Sequence, residues 1–274
     1  MLSSQAVDRY RRDGYHFPID ILSEDEACGY RDRLEAYETR SGAPLKGEFR
    51  HKPHLLFTGL NELVRHPRIL DAVENVLGPN LLCWNSSFFI KEANDSGFVS
   101  WHQDATYWGL SSPDVSTIWL AFTPASELNG CMKFIPGSHK IQVVHRDTFH
   151  KDNLLTRGQE IAVEVDESQA VLAQLKPGQA SIHHVLLFHG SAPNRSGDRR
   201  IGFAIRYIPT HVRQVAGERD SATLVRGVDE HGHFELESAP QADFSPEACA
   251  LHAAVTQRQL RVLYRGTDRT EYRA

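Results

Sequence analysis

Between Leu81 and Tyr207 the chain is made of short runs rich in aromatic and β-branched residues, cut apart by turn clusters at Asn94 to Gly97, Ser111 to Asp114, Asn129-Gly130 and Pro136-Gly137. The runs include Leu82 to Lys91, Val115 to Phe122, Met132 to Ile135, Gln179 to Ile182 and Ile201 to Ile208. In the last of these Ile201, Phe203, Ile205 and Tyr207 fall on one face, and Gly202, Ala204, Arg206 and Ile208 on the other. This is the pattern of an all-β sandwich or barrel.

The flanks read differently. Ser23 and Glu26 have capping-box spacing, and Ala27, Tyr30, Leu34 and Tyr37 follow at helical intervals. A second helix is expected from Pro67 to Leu77, with Ile69, Val73 and Val76 or Leu77 on one face and Gly78-Pro79 ending it. The segment KGEFRHKPHLLFTG between them, from Lys46, is polar and aperiodic and reads as a loop. Late in the chain Ser245, Pro246 and Glu247 signal one more helix, and the charged tail after Leu260 reads as a surface strand or a disordered end. With no internal repeat and no Pro-, Gly- or Ser-rich linker, one domain over 1–274 is the economical division: a helical layer over 1–80, a β core over 81–210, and a loop, helix and tail over 211–274.

A formal charge of -5 over 274 residues offers no electrostatic reason to expect nucleic acid or an anionic membrane as partner. Asp8, Arg9, Arg11, Arg12 and Asp13 stand where a signal peptide needs an apolar stretch, and no apolar run approaches the roughly 18 residues of a membrane span. A soluble, cytoplasmic protein acting on a small molecule is the expectation; the oligomeric state is not legible. The four cysteines are scattered with no C-x-x-C pair, so they read as reduced core thiols.

Histidine is abundant, at 15 residues, and two of its neighbourhoods carry chemistry. In WHQDATYW, His102 and Asp104 lie two apart in an expected strand or strand end, so both side chains point to the same face. Completed by a distant histidine they make a two-His-one-carboxylate triad, which leaves positions open for a co-substrate and dioxygen and favours iron(II). His189 follows the apolar segment VLLF, an expected core strand, and Arg200 comes eleven residues later. His183 or His184 could in principle replace His189; the spacing to Arg200 favours His189. A keto acid such as 2-oxoglutarate chelates metal through its 2-oxo carboxylate end and needs a fixed cation for its far carboxylate. Arg200 offers a planar fork for that group, and Ser191 a hydroxyl.

Taken together, His102-x-Asp104 and His189-x-Ser191-x-x-Asn194-x-Ser196 with Arg200 resemble the phytanoyl-CoA dioxygenase (PhyH) family of iron(II)- and 2-oxoglutarate-dependent oxygenases. Similar stretches run from FFIKEAN through GCMKFIPGSHK to RRIGFAIRYIPTHV, about residues 84 to 212, and the N-terminal RYRRDGY also fits. The resemblance implies a mainly β chain with flanking helices, a double-stranded β-helix (jelly-roll, cupin-like) barrel with the metal at its mouth. It implies catalysis by His102, Asp104 and His189 holding iron(II), 2-oxoglutarate bound by Arg200 and Ser191, and dioxygen as oxidant. Hydroxylation with release of succinate and carbon dioxide is the implied outcome, and an acid at Asp104, where related halogenases carry Ala or Gly, favours it over chlorination.

For the substrate, Trp108 and Tyr107 lie just past the ligands; the resemblance implies a lining role for an aromatic six residues after the first histidine, which is Trp108. Asn85, with Ser87, and Lys91 on the preceding strand are further candidates. The loops from Lys46 to Thr58, Asp147 to Glu160 and Arg213 to Glu237 are expected to roof the pocket. The alternatives are desaturation, cyclisation, epimerisation or halogenation with the same cofactors, or a non-catalytic cupin-like binding protein.

Overall fold

The computed structural model describes residues 1–272. Helix α1 (Ser4–Asp13) leads into strand β1 (Tyr15–Asp20), and α2 (Glu24–Ser41), α3 (Thr58–Leu63) and α4 (Pro67–Leu77) complete an N-terminal layer. α2 begins on the expected capping box: Ser23 Oγ accepts from the Glu26 amide and the Glu26 carboxylate accepts from the Ser23 amide. This satisfies two of the amides that every helix start leaves unpaired. Then come β2 (Leu81–Lys91), β3 (Val99–His102), β4 (Ser116–Ala121), β5 (Met132–Phe134), β6 (His145–Asp147), β7 (Gln159–Ile161), β8 (Val171–Ala173), β9 (Gln179–His184), β10 (His189–Ser191), β11 (Arg200–Pro209), β12 (Ser221–Arg226), β13 (Glu235–Leu236) and α5 (Pro246–Leu263).

A seven-stranded sheet, in the order β1-β9-β4-β11-β2-β12-β13, faces a four-stranded sheet, β3-β10-β5-β8, as a jelly-roll sandwich; β6 and β7 form a separate antiparallel pair. β11 is central and all ten of its residues are buried. Its alternation decides which layer each side chain joins. Ile201, Phe203, Ile205 and Tyr207 pack with Leu60, Val64, Ile69 and Val73 of the helical layer. Ala204 joins Trp119, Met132 and Phe134 between the two sheets. A sheet covered on both faces needs such a strand to be apolar along its length, so the two charged residues on its interior-facing register, Arg200 and Arg206, stand out.

The structure differs from the sequence reading in five places. Tyr15–Asp20, expected in the helical layer, is an edge strand paired with β9, a position that tolerates Pro18. The segment read as a loop from Lys46 contains two 3₁₀ turns, Gly47–Arg50 and Pro53–Leu55, and enters α3 at Thr58. VLLF is a turn between β9 and β10 and not a strand, so His189 opens a strand where it was expected to end one. β3 stops at His102, and Asp104 begins a 3₁₀ turn. The tail is neither strand nor disordered to Tyr272: α5 continues to Leu263, and Tyr272 folds back to donate to the Thr256 carbonyl at 3.2 Å. Among the described residues no helix is long and apolar enough to cross a membrane.

Candidate active site

β3 and β10 pair antiparallel with His102 directly opposite His189, so two imidazoles from distant sequence meet on the barrel interior with ring centres 4.0 Å apart. The turn that follows β3 swings Asp104 back toward them. Its Oδ1 lies 3.4 Å from His102 Nε2 and 4.0 Å from His189 Nε2. Period-two alternation would have served for this convergence; the chain uses a tighter turn, held by the Asp104 amide donating to the Val185 carbonyl at 3.0 Å.

Each histidine is oriented from behind. His102 Nδ1 lies 2.9 Å from the Ser100 carbonyl and His189 Nδ1 2.9 Å from that of Leu187. With Nδ1 donating, the lone pair sits on Nε2 and faces the other ligands. Gln103 clamps the turn between the ligands, donating to the carbonyls of Ile141 and Leu186 at 2.7 Å each, while its amide donates to His145 Nε2 at 2.8 Å. His145 therefore braces the ligand turn from β6.

The three donor atoms lie within 4.8 Å of one another, a spread that one first-row ion bonding at roughly 2.0–2.2 Å can draw together. Burial alone would raise the Asp104 carboxyl; its interactions with the ligand histidines, whenever these carry a proton, and the charge of Arg206 outweigh it and hold Asp104 well below the usual carboxylate range. It is thus ionised and ready to ligate. The converging set contains neither of the alternatives from the sequence. His183 is buried with its ring 4.8 Å from that of His189, and His184 turns away to accept from the Leu186 amide at 3.1 Å.

A small cavity runs inward from the triad past Ser191 to Arg200 and Trp119. Arg200 is 1% exposed; it donates to the Gly130 carbonyl and its guanidinium stands 5.2 Å from the Trp119 ring centre. Gly130 is required there because at φ 72° a Cβ would sit 2.0 Å from the Ala192 carbonyl oxygen. Lys91 stands behind Ser191, outside the lining of this cavity. Considered from sequence as a substrate residue, it is fully buried, lines neither cavity, and donates to Ser191 Oγ at 2.7 Å and to the Ala192 carbonyl. Burial, with the charge of Arg200, pushes its ammonium down to about 6; burial also takes Arg200 down to about 10.

On the other side of Asp104 opens a cavity of about 320 Å³. Trp108, Tyr107 and Asn85 all line it. Trp108 packs on Trp84 at 5.0 Å, Tyr107 lies under the Arg157 guanidinium at 4.3 Å, and Asn85 donates to Gln259 at 2.7 Å. The three expected roof loops contribute Arg50 and His51, Asn153 and Leu155, and Gln214. The sequence reading missed Gln259 and Tyr272, which close the same cavity from α5 and the tail, and Arg206. Of these three, Arg206 had a readable signal: like Arg200, it is a charge on the interior phase of the most apolar strand.

Known proteins share this architecture. A "Probable alpha-ketoglutarate-dependent hypophosphite dioxygenase" of Stutzerimonas stutzeri is 33% identical over 159 residues, covering 57% of this chain; the match spans only 54%, about half, of that relative. The apo structure of the non-heme monooxygenase ThoJ superposes with a TM-score of 0.83 at 35% identity, covering 94% of this chain and 97% of that one. CytC3 with Fe(II) and alpha-ketoglutarate superposes at 0.68 and 30% identity, covering 90% and 98%. The sequence profile of the phytanoyl-CoA dioxygenase (PhyH) family matches residues 10–202. The chain belongs to that family, and is a non-haem iron dioxygenase dependent on 2-oxoglutarate.

Proposed function

We propose that this enzyme hydroxylates a small-molecule metabolite, with His102, Asp104 and His189 holding iron(II), and Arg200, Ser191 and Lys91 holding the far carboxylate of 2-oxoglutarate. The observation that carries the reading is the position of Asp104, which lines both cavities: the cation-ended one that suits a keto dicarboxylate and the larger aromatic one that suits a substrate. When bound, iron and 2-oxoglutarate supply the chemistry, in which dioxygen is reduced as 2-oxoglutarate becomes succinate and carbon dioxide and one oxygen atom goes to the substrate.

The chain's own residues bind and orient. Arg200 presents a buried cation to the carboxylate, Lys91 joins it through Ser191 and takes up a proton as the carboxylate binds, and charge-assisted bonds of that kind are stronger than neutral ones. Ser191 Oγ accepts from Lys91, leaving its own proton for the same carboxylate. Trp119 and Met132 give the small cavity apolar walls. Asp104 fills the third ligand position, which supports hydroxylation over halide transfer. Tyr107 and Trp108 present apolar faces on the substrate side.

Purified protein with iron(II) should release succinate from 2-oxoglutarate in air, faster with a metabolite that occupies the larger cavity. Succinate formation persisting unchanged in both His102→Ala and Arg200→Ala would contradict the proposal.

A further inference from the structure

Arg206 takes no part in holding metal or the far carboxylate, yet it is only 7% exposed and lies in the wall common to both cavities. Its Nη1 donates to Ser87 Oγ at 2.8 Å, while Nε has no hydrogen-bond partner. The guanidinium stands 5.7 Å from the centre of the Phe89 ring and 5.5 Å from that of Trp108. Among the described residues it forms no ion pair. A guanidinium carries five donors, and removing it from water with one protein acceptor is costly unless something else answers its charge. The aromatic faces offset part of that cost.

Among the described residues, the one carboxylate lining the larger cavity is Asp104. Its field reaches Arg206, but its oxygens are directed at the histidines and its charge is committed once a metal binds. The other charged groups that the described residues bring to the cavity, Arg50 and Lys151, are cations, and the remaining polar lining includes the uncharged amides of Asn85, Gln214 and Gln259. The substrate side of the site therefore has a standing excess of positive charge with its best-buried member beside the reacting centre.

We propose that the substrate carries an oxyanion group, a carboxylate or phosphonate, that accepts hydrogen bonds from Arg206 with Ser87 behind it, its carbon skeleton lying along Trp108. This assignment rests on the metal and co-substrate reading above. Arg206 is in this account a specificity-determining residue: it anchors the head group so that a carbon a bond or two away faces the open side of the triad. A second source of the same chemistry is the metal-chelating carboxylate of 2-oxoglutarate itself, and the test separates the two.

Protein loaded with nickel(II), which does not support turnover, and 2-oxoglutarate is titrated with a panel of small carboxylates and phosphonates. Each is paired with its uncharged carboxamide or dimethyl ester, and binding is followed by thermal shift. Wild type should be stabilised by one or more acids and not by the paired neutral compound. Arg206→Gln should weaken that acid by about tenfold or more, Arg206→Lys by less, and the affinity for 2-oxoglutarate should stay within about twofold in both. The assignment is overturned if no acid binds better than its neutral partner, or if Arg206→Gln weakens 2-oxoglutarate and leaves the acid unchanged. Failure of the underlying reading has its own signature, absence of 2-oxoglutarate binding by the wild type, and overturns both.

Discussion

Arg200 of β11 stands directly opposite Lys91 of β2 in the central ladder, and neither of these buried cations forms an ion pair among the described residues. Two like charges are stable together in a protein interior only when an anion joins them or when one gives up its proton. Without a ligand, Lys91 takes the second course.

Proton uptake on co-substrate binding follows. With its ammonium held down to about 6, Lys91 is mostly neutral above that pH, and a carboxylate placed against it restores the proton. Affinity for 2-oxoglutarate should therefore fall as pH rises from about 6.5 to 9, because more of the free protein must be reprotonated. Calorimetry in two buffers of different ionisation enthalpy should record uptake approaching one proton at about pH 8. Lys91→Met should remove it; unchanged uptake in that variant would transfer the effect to another group.

Arg200→Lys should not be tolerated. A single ammonium cannot reproduce the planar fork that also bonds the Gly130 carbonyl and stacks on Trp119. The loss of a charge-assisted pair of bonds, on the order of 1.5–3 kcal/mol, corresponds to a rise of about ten- to hundredfold in the KM for 2-oxoglutarate. Steady-state kinetics in 2-oxoglutarate checks this, and a KM within threefold of wild type would count against the role of Arg200.

Gly202 guards Trp119. A Cβ at Gly202 would lie 1.9 Å from the indole ring, so Gly202→Ala must push the ring from its place beside Arg200. Overpacking of this kind costs about 1–3 kcal/mol. Denaturant unfolding should register that loss together with weaker 2-oxoglutarate binding. An alanine variant as stable as wild type would mean that the ring has room to move.

A separate buried pair ties the roof to the barrel. Lys52 donates to Glu237, which also accepts from Ser221 Oγ and Thr223 Oγ1 at 2.8 Å each. Burial would raise the Glu237 carboxyl, but Lys52 and His54 outweigh it and bring it down to about 2. A carboxyl depressed in the fold gives stability that is full above its unfolded value near 4.3 and lost as pH falls toward about 2. Removing one partner of a buried pair costs roughly 3–5 kcal/mol, so Glu237→Gln should lower the melting temperature and flatten its decline below about pH 4. A variant that retains the full acid dependence would place that dependence elsewhere.

How much of this was legible in the sequence varies with how local each cause is. The boundaries of α2 and α4 rest on caps and on Pro67, so residues within one turn decide them. The faces of β11 follow from strict alternation, and the triad from a spacing that the family resemblance made specific. Tyr15–Asp20 escaped notice because its strand character comes from β9, far along the chain. Asp104 reads from sequence as part of a strand or strand end because nothing local distinguishes that from a 3₁₀ turn braced by Val185 and His145. Lys91 could not be placed beside Ser191 and Arg200 without the pairing of β2 with β11. Its charge in a run of aromatic residues was the sole hint.

The central claim is that one ion and one keto acid meet at His102, Asp104 and His189 with Arg200 behind them. Anaerobic addition of iron(II) and 2-oxoglutarate, read in the visible spectrum, tests it most directly. The account predicts the weak charge-transfer band of the chelate in the wild type, its loss in His102→Ala, and its appearance only at much higher 2-oxoglutarate in Arg200→Ala. No band from the intact protein, or an undiminished band in His102→Ala, would contradict it.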